Sequence, residues 1–242
     1  AVPLNLSAIG PFCESNANNI SLPATNGVTG AWSSSGSGLV NGNTQFNPAA
    51  AGAGVAALTF TPDPGQCAEA EAISVTVESL TALSFSDMSP VCTTDPAINL
   101  NAMTMGVLGT WSVTGGGLTG STFSPDQAGE GVYTISFTPA GSECATPGDF
   151  DISVFETPDV PELADEVICG GGFTLPTLSG NANYYTQPGG QGTPLPAGST
   201  VSTTGTIYIF EDNNTCTDES DFTLTVNQQP MLNEVDDVVS CG

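Results

Sequence analysis

The chain has 242 residues and contains no Lys, no Arg and no His, against 25 Asp and Glu residues, so its formal net charge is −25. Without cationic side chains it cannot neutralise nucleic-acid phosphates, and an anionic membrane surface would repel it. No run of about 18 apolar residues is present, so direct membrane insertion is not predicted.

Short β-strands are predicted along the chain, because apolar residues alternate with small polar ones between frequent Gly and Pro residues. We place a first repeat at residues 1–78. Its markers, in chain order, are Gly30-Ala31-Trp32-Ser33, Phe46-Asn47-Pro48 and the strand Ile73-Ser74-Val75-Thr76-Val77.

A second repeat, at residues 79–156, has the same order of motifs. Its markers are Gly109-Thr110-Trp111-Ser112, Phe123-Ser124-Pro125 and the strand Ile152-Ser153-Val154. A third, diverged repeat at 157–227 ends in Phe222-Thr223-Leu224-Thr225-Val226. Residues 228–242 are predicted to be a linker and the start of a further repeat. Such periodicity is typical of an array of similar modules.

The seven Cys residues follow the same period. One Cys opens each repeat and another precedes each last strand, so pairing within repeats is the simplest arrangement, although sequence alone does not prove connectivity. The predicted disulfides are Cys13–Cys67, Cys92–Cys144 and Cys169–Cys216. We expect the partner of Cys241 beyond residue 242; a free thiol and an intermolecular bond are the alternatives. This cysteine usage indicates an oxidising, extracellular compartment.

These features predict an all-β protein of tandem immunoglobulin-like antiparallel β-sandwich repeats, with one intra-repeat disulfide each. In that fold a buried Trp packs against the disulfide. Trp32 and Trp111 each lie 19 residues after the Cys that opens their repeat, which fits this place. Tyr184 or Tyr185 is expected to replace them in the third repeat. We prefer core packing for these rings to an exposed sugar-stacking site.

Two groups of motifs carry a family resemblance. The first group is Gly109-Thr110-Trp111-Ser112, Phe123-Ser124-Pro125 and Ala128-Gly129-Glu130-Gly131-Val132-Tyr133-Thr134-Ile135. The second is Leu175-Pro176-Thr177-Leu178-Ser179-Gly180, Tyr184-Tyr185-Thr186, Gly189-Gly190-Gln191-Gly192-Thr193-Pro194-Leu195 and Cys216-Thr217-Asp218-Glu219. The chain resembles the tandem immunoglobulin-like repeats of very large surface adhesins of the Bacteroidetes type, including gliding-motility adhesins. The resemblance implies secretion, surface anchoring elsewhere in the chain, and a role in adhesion, gliding or filament building.

Enzymatic activity is not predicted, because the usual general bases and activated nucleophiles need His or Lys. Zinc is disfavoured by the lack of His and of any Cys-x-x-Cys pair. Calcium is the preferred cofactor hypothesis, since hard cations bind oxygen ligands and acidic residues precede the opening Cys residues. The candidate ligands at repeat junctions are Asp87, Asp165, Glu166, Asp236 and Asp237. The alternative is that these carboxylates are only hydrated.

Three functions fit this sequence. The preferred one is a structural and adhesive segment of a giant secreted surface protein, which forms a rigid extracellular stalk or filament of stacked repeats. Its partners would be neighbouring repeats and other copies in a fibre, with exposed strand edges providing contacts. The alternatives are ligand-gripping adhesin modules and an accessory module of a secreted enzyme.

Overall fold

A computed structural model describes residues 3–229. The first repeat forms two sheets, with the strand orders β1-β7-β6-β3 and β2-β5-β4. Its elements are β1 (Phe12–Cys13), β2 (Ile20–Ser21), β3 (Gly30–Ser34), β4 (Leu39–Val40), β5 (Gln45–Phe46), α1 (Pro48–Ala51), β6 (Gly54–Pro62) and β7 (Glu71–Glu78).

The second repeat has the same topology, with the strand orders β10-β13-β14-β8 and β11-β12-β9. Its strands and helical turns are β8 (Val91–Cys92), β9 (Ile98–Asn99), a 3-10 turn (Leu100–Met103), β10 (Gly109–Val113), β11 (Leu118–Thr119), β12 (Thr122–Phe123), α2 (Pro125–Ala128), β13 (Gly131–Pro139) and β14 (Gly148–Phe155).

The third repeat has a five-stranded and a two-stranded sheet, with the orders β15-β21-β20-β17-β18 and β16-β19. Its strands are β15 (Glu166–Cys169), β16 (Phe173–Thr174), β17 (Asn183–Gln187), β18 (Gln191–Leu195), β19 (Thr200–Val201), β20 (Gly205–Asp212) and β21 (Thr217–Asn227).

Local sequence explains these elements. In β7, Ile73, Val75 and Val77 are buried while the residues between them are exposed, as expected for a strand with one face on a core. The turn α1 begins where the side chain of Asn47 accepts a hydrogen bond from the amide of Ala50 at 2.9 Å, an N-cap that satisfies an otherwise unpaired donor. The two sheets formed by each of the three repeats confirm the prediction of tandem immunoglobulin-like sandwiches.

The pairing of first and last strands positions the cysteines. In each repeat the first strand runs parallel to the end of the last strand, through the pairs β1–β7, β8–β14 and β15–β21. The described residues divide into two compact units, one of residues 3–88, 97–124 and 133–152, the other of residues 89–96, 125–132 and 153–229. The division passes through the second repeat.

Candidate functional site: two disulfide junctions

The disulfides join one repeat to the next. Cys13 of the first repeat is bonded to Cys144 of the second, with Cα atoms 5.2 Å apart, and this bridge lies within the first unit. Cys92 is bonded to Cys216, with Cα atoms 5.8 Å apart, within the second unit. The predicted pairs Cys13–Cys67, Cys92–Cys144 and Cys169–Cys216 are wrong.

The reason is the length of the last strand. Cys13 lies opposite Glu78, the last residue of β7, whereas Cys67 precedes Glu71, the first residue of the same eight-residue strand. The strand separates these two levels by about 24 Å at 3.4 Å per residue, and a disulfide requires Cα atoms within about 7 Å. Opening and closing Cys residues of one repeat therefore lie at opposite ends of its last strand.

The other repeats repeat this geometry. Cys92 lies opposite Phe155 at the end of β14, and Cys169 lies opposite Asn227 at the end of β21. Cys144 precedes β14 and Cys216 immediately precedes β21. The chain leaves each repeat at the end of the last strand, so an opening Cys lies beside the chain that leads to the next repeat.

At the first junction the bridge is framed by hydrogen bonds. The Sγ atom of Cys144 lies 3.4 Å from the carbonyl oxygen of Glu78, and the amide of Glu14 donates to that oxygen at 2.9 Å. The amide of Leu80 donates to Oε1 of Glu14 at 2.6 Å. The chain on both sides of the disulfide thus contacts residues 78–80, where the segment that connects the two repeats begins.

The rest of this connecting segment pairs with the loop that carries Cys144. The amide of Thr81 donates to the carbonyl oxygen of Cys144 at 2.8 Å, and the amide of Thr146 donates back to Thr81 at 3.0 Å. The amide of Leu83, a buried residue, donates to Oγ1 of Thr146 at 3.0 Å. The entry into the second repeat is held to the bridge loop by a short parallel pairing.

The second junction reproduces four of these contacts with different residues. The Sγ atom of Cys216 lies 3.8 Å from the carbonyl oxygen of Phe155, to which the amide of Thr93 donates at 2.9 Å. The amide of Thr157 donates to Oγ1 of Thr93 at 3.0 Å.

The buried residue after this linker is Val160, and its amide donates to Oδ2 of Asp218 at 3.0 Å. Glu14 and Thr93 therefore both accept a hydrogen bond from the amide two residues after the last strand. Thr146 and Asp218 both accept one from the amide of the buried residue that follows the linker. Sequence reasoning missed these residues because their side-chain types differ between repeats. The available signal was their fixed offset from the Cys residues, one after the opening Cys and two after the closing Cys.

Two Cys residues have no sulfur partner within the described residues. Cys67 and Cys169 are both exposed, whereas the bonded Cys13, Cys92 and Cys144 are half-buried and Cys216 is buried. The prediction for Cys241 lies outside the described residues.

The acidic candidates at the junctions have backbone partners. Oδ1 of Asp87 accepts from the amide of Asp151 on β14 at 2.9 Å, and Oδ1 of Asp165 accepts from the amide of Thr223 on β21 at 2.7 Å. Glu166 begins β15. The remaining candidates, Asp236 and Asp237, lie outside the described residues.

Within residues 3–229, no group of three or more His, Cys, Asp or Glu side chains is arranged to hold a metal ion. Calcium at the junctions stays a prediction.

The aromatic candidates lie in the cores. Trp32 and Trp111 are 8% and 9% exposed and Tyr184 is fully buried. Trp111 packs 4.8 Å from Phe137 between ring centroids. The hydroxyl of Tyr184 donates to the carbonyl oxygen of Pro176 at 3.2 Å, and burial raises its pKa above the ordinary value of 10.0. Because the bridges cross between repeats, none of these rings packs against an intra-repeat disulfide in the described part of the chain.

No protein-family model matches this sequence, and no curated protein matches it. Solved structures with a similar arrangement include extracellular domains 3–5 of Drosophila OTK, 12% identical over 72% of this chain and 71% of that one, with a TM-score of 0.32. The first four immunoglobulin domains of Sidekick-1 are 16% identical over 89% and 73%, with a TM-score of 0.26.

The first four immunoglobulin domains of Dscam1 isoform 4.44 are 11% identical over 91% of this chain and 76% of that one, with a TM-score of 0.30. These values carry no information on what the present chain binds. Among residues 3–229, no helix has the length and apolar character needed to cross a membrane.

Proposed function

We propose that this chain is a force-bearing structural and adhesive segment of a secreted cell-surface protein, in which covalently linked immunoglobulin-like repeats build an extracellular stalk without catalysing a reaction. The observation that carries the proposal is that both disulfides run from one repeat into the next. The loops that they close, 13–144 and 92–216, overlap across residues 92–144.

Overlapping loops limit how far the chain can be pulled. A force applied to the two ends of the oxidised chain follows the shortest covalent path, from residue 1 to Cys13, back from Cys144 to Cys92, and on from Cys216 to residue 242. This path covers about 90 residues, roughly 320 Å when fully extended. The rest of the chain is protected from extension.

Because the two loops overlap, either disulfide alone still limits the extension of the chain when the other is broken. If only Cys92–Cys216 remains, the path lengthens by about 27 residues, and if only Cys13–Cys144 remains, by about 20 residues. Loss of both releases about 150 residues. Separate intra-repeat bonds lack this property, because each broken bond would release its own loop. A stalk under tension benefits from such redundancy.

Composition and family resemblance support an extracellular role. Disulfide bonds persist in oxidising compartments, and the motifs of the second and third repeats resemble those of surface adhesins. The absence of Lys, Arg and His removes the usual catalytic bases.

Single-molecule force spectroscopy tests the proposal. In a background with Cys67, Cys169 and Cys241 replaced by Ser, the extended length of the oxidised parent is compared with those of Cys13→Ser/Cys144→Ser, Cys92→Ser/Cys216→Ser and the fourfold variant. We expect gains of about 95 Å and 70 Å for the two double replacements and about 530 Å for the fourfold one. Gains that simply add would contradict the overlapping topology.

Peptide mapping provides an independent control. Cleavage after Glu places each of the seven Cys residues on a different peptide, for example 15–69 for Cys67 and 167–211 for Cys169. The parent should yield the 1–14 peptide bonded to 144–156, and 79–130 bonded to 212–219. Recovery of 15–69 bonded to 1–14 from the unmodified chain would overturn the assigned connectivity.

A further inference from the structure

The end of the third repeat carries half of a junction. Cys169 lies opposite Asn227, and the amide of Gly170 donates to the carbonyl oxygen of Asn227 at 2.8 Å. The residues after Cys13 and Cys92 make the same hydrogen bond to Glu78 and Phe155, at 2.9 Å in both cases. Cys169 therefore has the strand pairing and the hydrogen bond of a closed junction, although Gly170 has a φ of 65°.

The equivalent cysteines of the other repeats indicate which kind of Cys bonds to an opening Cys. Both other opening cysteines, Cys13 and Cys92, are bonded to the closing Cys of the following repeat. The closing cysteines Cys144 and Cys216 are bonded to the opening Cys of the preceding repeat. Within residues 3–229, Cys169 is an exposed opening Cys without a sulfur partner, and Cys67 is an exposed closing Cys without one.

We propose that Cys169 and Cys67 are complementary half-sites for further inter-repeat disulfides of the same kind as the two in the structure. Cys169 receives the closing Cys of a further immunoglobulin-like repeat of this kind, and Cys67 receives the opening Cys of such a repeat. This inference rests on the proposed function and extends it, because it makes the chain one segment of a continuous disulfide ladder. The partner is a repeat of the same polypeptide or one of a second copy.

The surroundings of Cys169 suit contact between two acidic chains. Residues 170–172, which follow the Cys, are three Gly residues, and residues 227–229, at the end of the opposite strand, are Asn, Gln and Gln. Both of these stretches are uncharged. Gly170 stands where Glu14 and Thr93 stand at the two closed junctions. This half-site thus adds no carboxylate next to the bridge, which lowers the repulsion that a chain of charge −25 exerts on another repeat.

Bond formation needs an oxidant, and a small-molecule disulfide supplies it. The thiolate of Cys169 attacks the small disulfide, forms a mixed disulfide and expels one thiolate. The thiolate of the closing Cys then attacks the Cys169 sulfur, forms the inter-repeat bond and expels the second thiolate. The two protein thiols lose two electrons and two protons, and the small disulfide becomes two thiols.

The test uses two variants in a Cys241→Ser background. The Cys67→Ser chain retains only the Cys169 half-site, and the Cys169→Ser chain retains only the Cys67 half-site. Each is incubated alone and mixed with the other in a glutathione redox buffer at physiological salt, where charge repulsion is screened beyond about 8 Å. A second arm uses a single polypeptide in which two copies of the chain follow one another.

We expect the mixture to give a disulfide-linked heterodimer in at least about tenfold excess over either homodimer, the ratio given by about 1.4 kcal/mol of recognition. The 15–69 and 167–211 peptides should be joined in it. A bond in the duplicated chain alone also supports the proposal and assigns the partner to the same polypeptide.

Equal yields of heterodimer and homodimers, or reduced thiols in both arms, would overturn the proposal. These results leave the force measurement unaffected, because that experiment is done without Cys67 and Cys169. Failure of the ladder and failure of the stalk are therefore distinguishable.

Discussion

The first two repeats and the third place their fourth strand on opposite sheets. In the first two, β4 and β11 pair with β5 and β12 in the smaller sheet. In the third, β18 pairs with β17 and extends the larger sheet to five strands. In immunoglobulin terms, the first arrangement has a D strand and the second a C′ strand.

The disulfide junctions do not depend on which sheet the fourth strand joins. They are built from the first strand, the end of the last strand and the loop before it, which are alike in all three repeats. Sandwiches of two kinds can therefore follow one another in one array while the bridge geometry is kept.

One pair of positions that differs between the two kinds of sandwich lies at the start of their third strand. Gly109 at the start of β10 lies beside Phe137, and an added Cβ would overlap the Phe137 ring and the carbonyl oxygen of Thr138. In the third repeat the corresponding residues are Ala182 and Ile209, aligned by the pairs Trp111–Phe137 and Tyr184–Ile209. At Gly109 both the Thr138 carbonyl oxygen and the Phe137 ring exclude a Cβ, whereas the third repeat has Ala at the equivalent position.

The largest effect is expected for Gly109→Ala. The overlap with a backbone carbonyl cannot be relieved by a side-chain rotation, so we expect the second repeat to lose about 3 kcal/mol of unfolding free energy. In a Trp32→Phe background, the fluorescence of Trp111 reports unfolding of this repeat alone. The denaturant midpoint gives the loss.

The matched control is Ala182→Gly in the third repeat. It should cost only about 1 kcal/mol, the entropic cost of Gly relative to Ala. Three of the four Tyr residues lie in this repeat, so their near-ultraviolet circular dichroism follows its unfolding. Equal losses for the two changes would show that the Gly–Phe and Ala–Ile pairs do not separate the two interiors.

A smaller effect is expected at the turn that creates β18. Gly190 has a φ of 68°, and an added Cβ would lie 2.7 Å from Cδ1 of Phe210. Gly190→Ala should therefore cost about 2 kcal/mol, from backbone strain and from displacement of the ring. Hydrogen exchange of residues 183–195, measured by mass spectrometry, should rise accordingly.

The neighbouring Gly189 provides the control in the same turn. It has the same φ of 68°, but an added Cβ would meet nothing within 4 Å. Gly189→Ala should cost only the strain of about 1 kcal/mol. If both variants exchange alike, contact with Phe210 does not hold the hairpin that defines the third repeat.

The sequence predicts the sandwiches better than it predicts the bridges. Alternation in strands such as Ile73–Val77 and the repeated Trp motifs depend on local periodicity, which can be read directly. Pairing of each opening Cys with its own repeat or with the next one preserves the same period, so spacing cannot choose between them. The choice follows from the parallel pairing of Cys13 with Glu78, a contact between residues far apart in the chain.

The smallest effect concerns the ring that replaces Trp in the third repeat. Tyr184 is fully buried and its hydroxyl donates to the carbonyl oxygen of Pro176. Tyr184→Phe should cost about 1 kcal/mol at neutral pH, because it leaves this carbonyl without its donor. Replacement of Trp111 by Phe would remove a different hydrogen bond, which the indole N–H donates to Oδ1 of Asn101 at 3.4 Å.

Alkaline pH sharpens this last comparison. Burial raises the pKa of Tyr184 above 10.0, so above about pH 10 the unfolded state releases the phenol proton while the folded state keeps it. The stability contribution of Tyr184 is complete below that pH and falls as the pH rises, whereas the Phe variant lacks this decline. The urea midpoints of the two proteins, followed through tyrosine circular dichroism from about pH 8 to about pH 11, should therefore converge. Tyr185→Phe, which retains Tyr184, should keep the decline, and parallel curves for wild type and Tyr184→Phe would show that the buried hydroxyl does not titrate with folding.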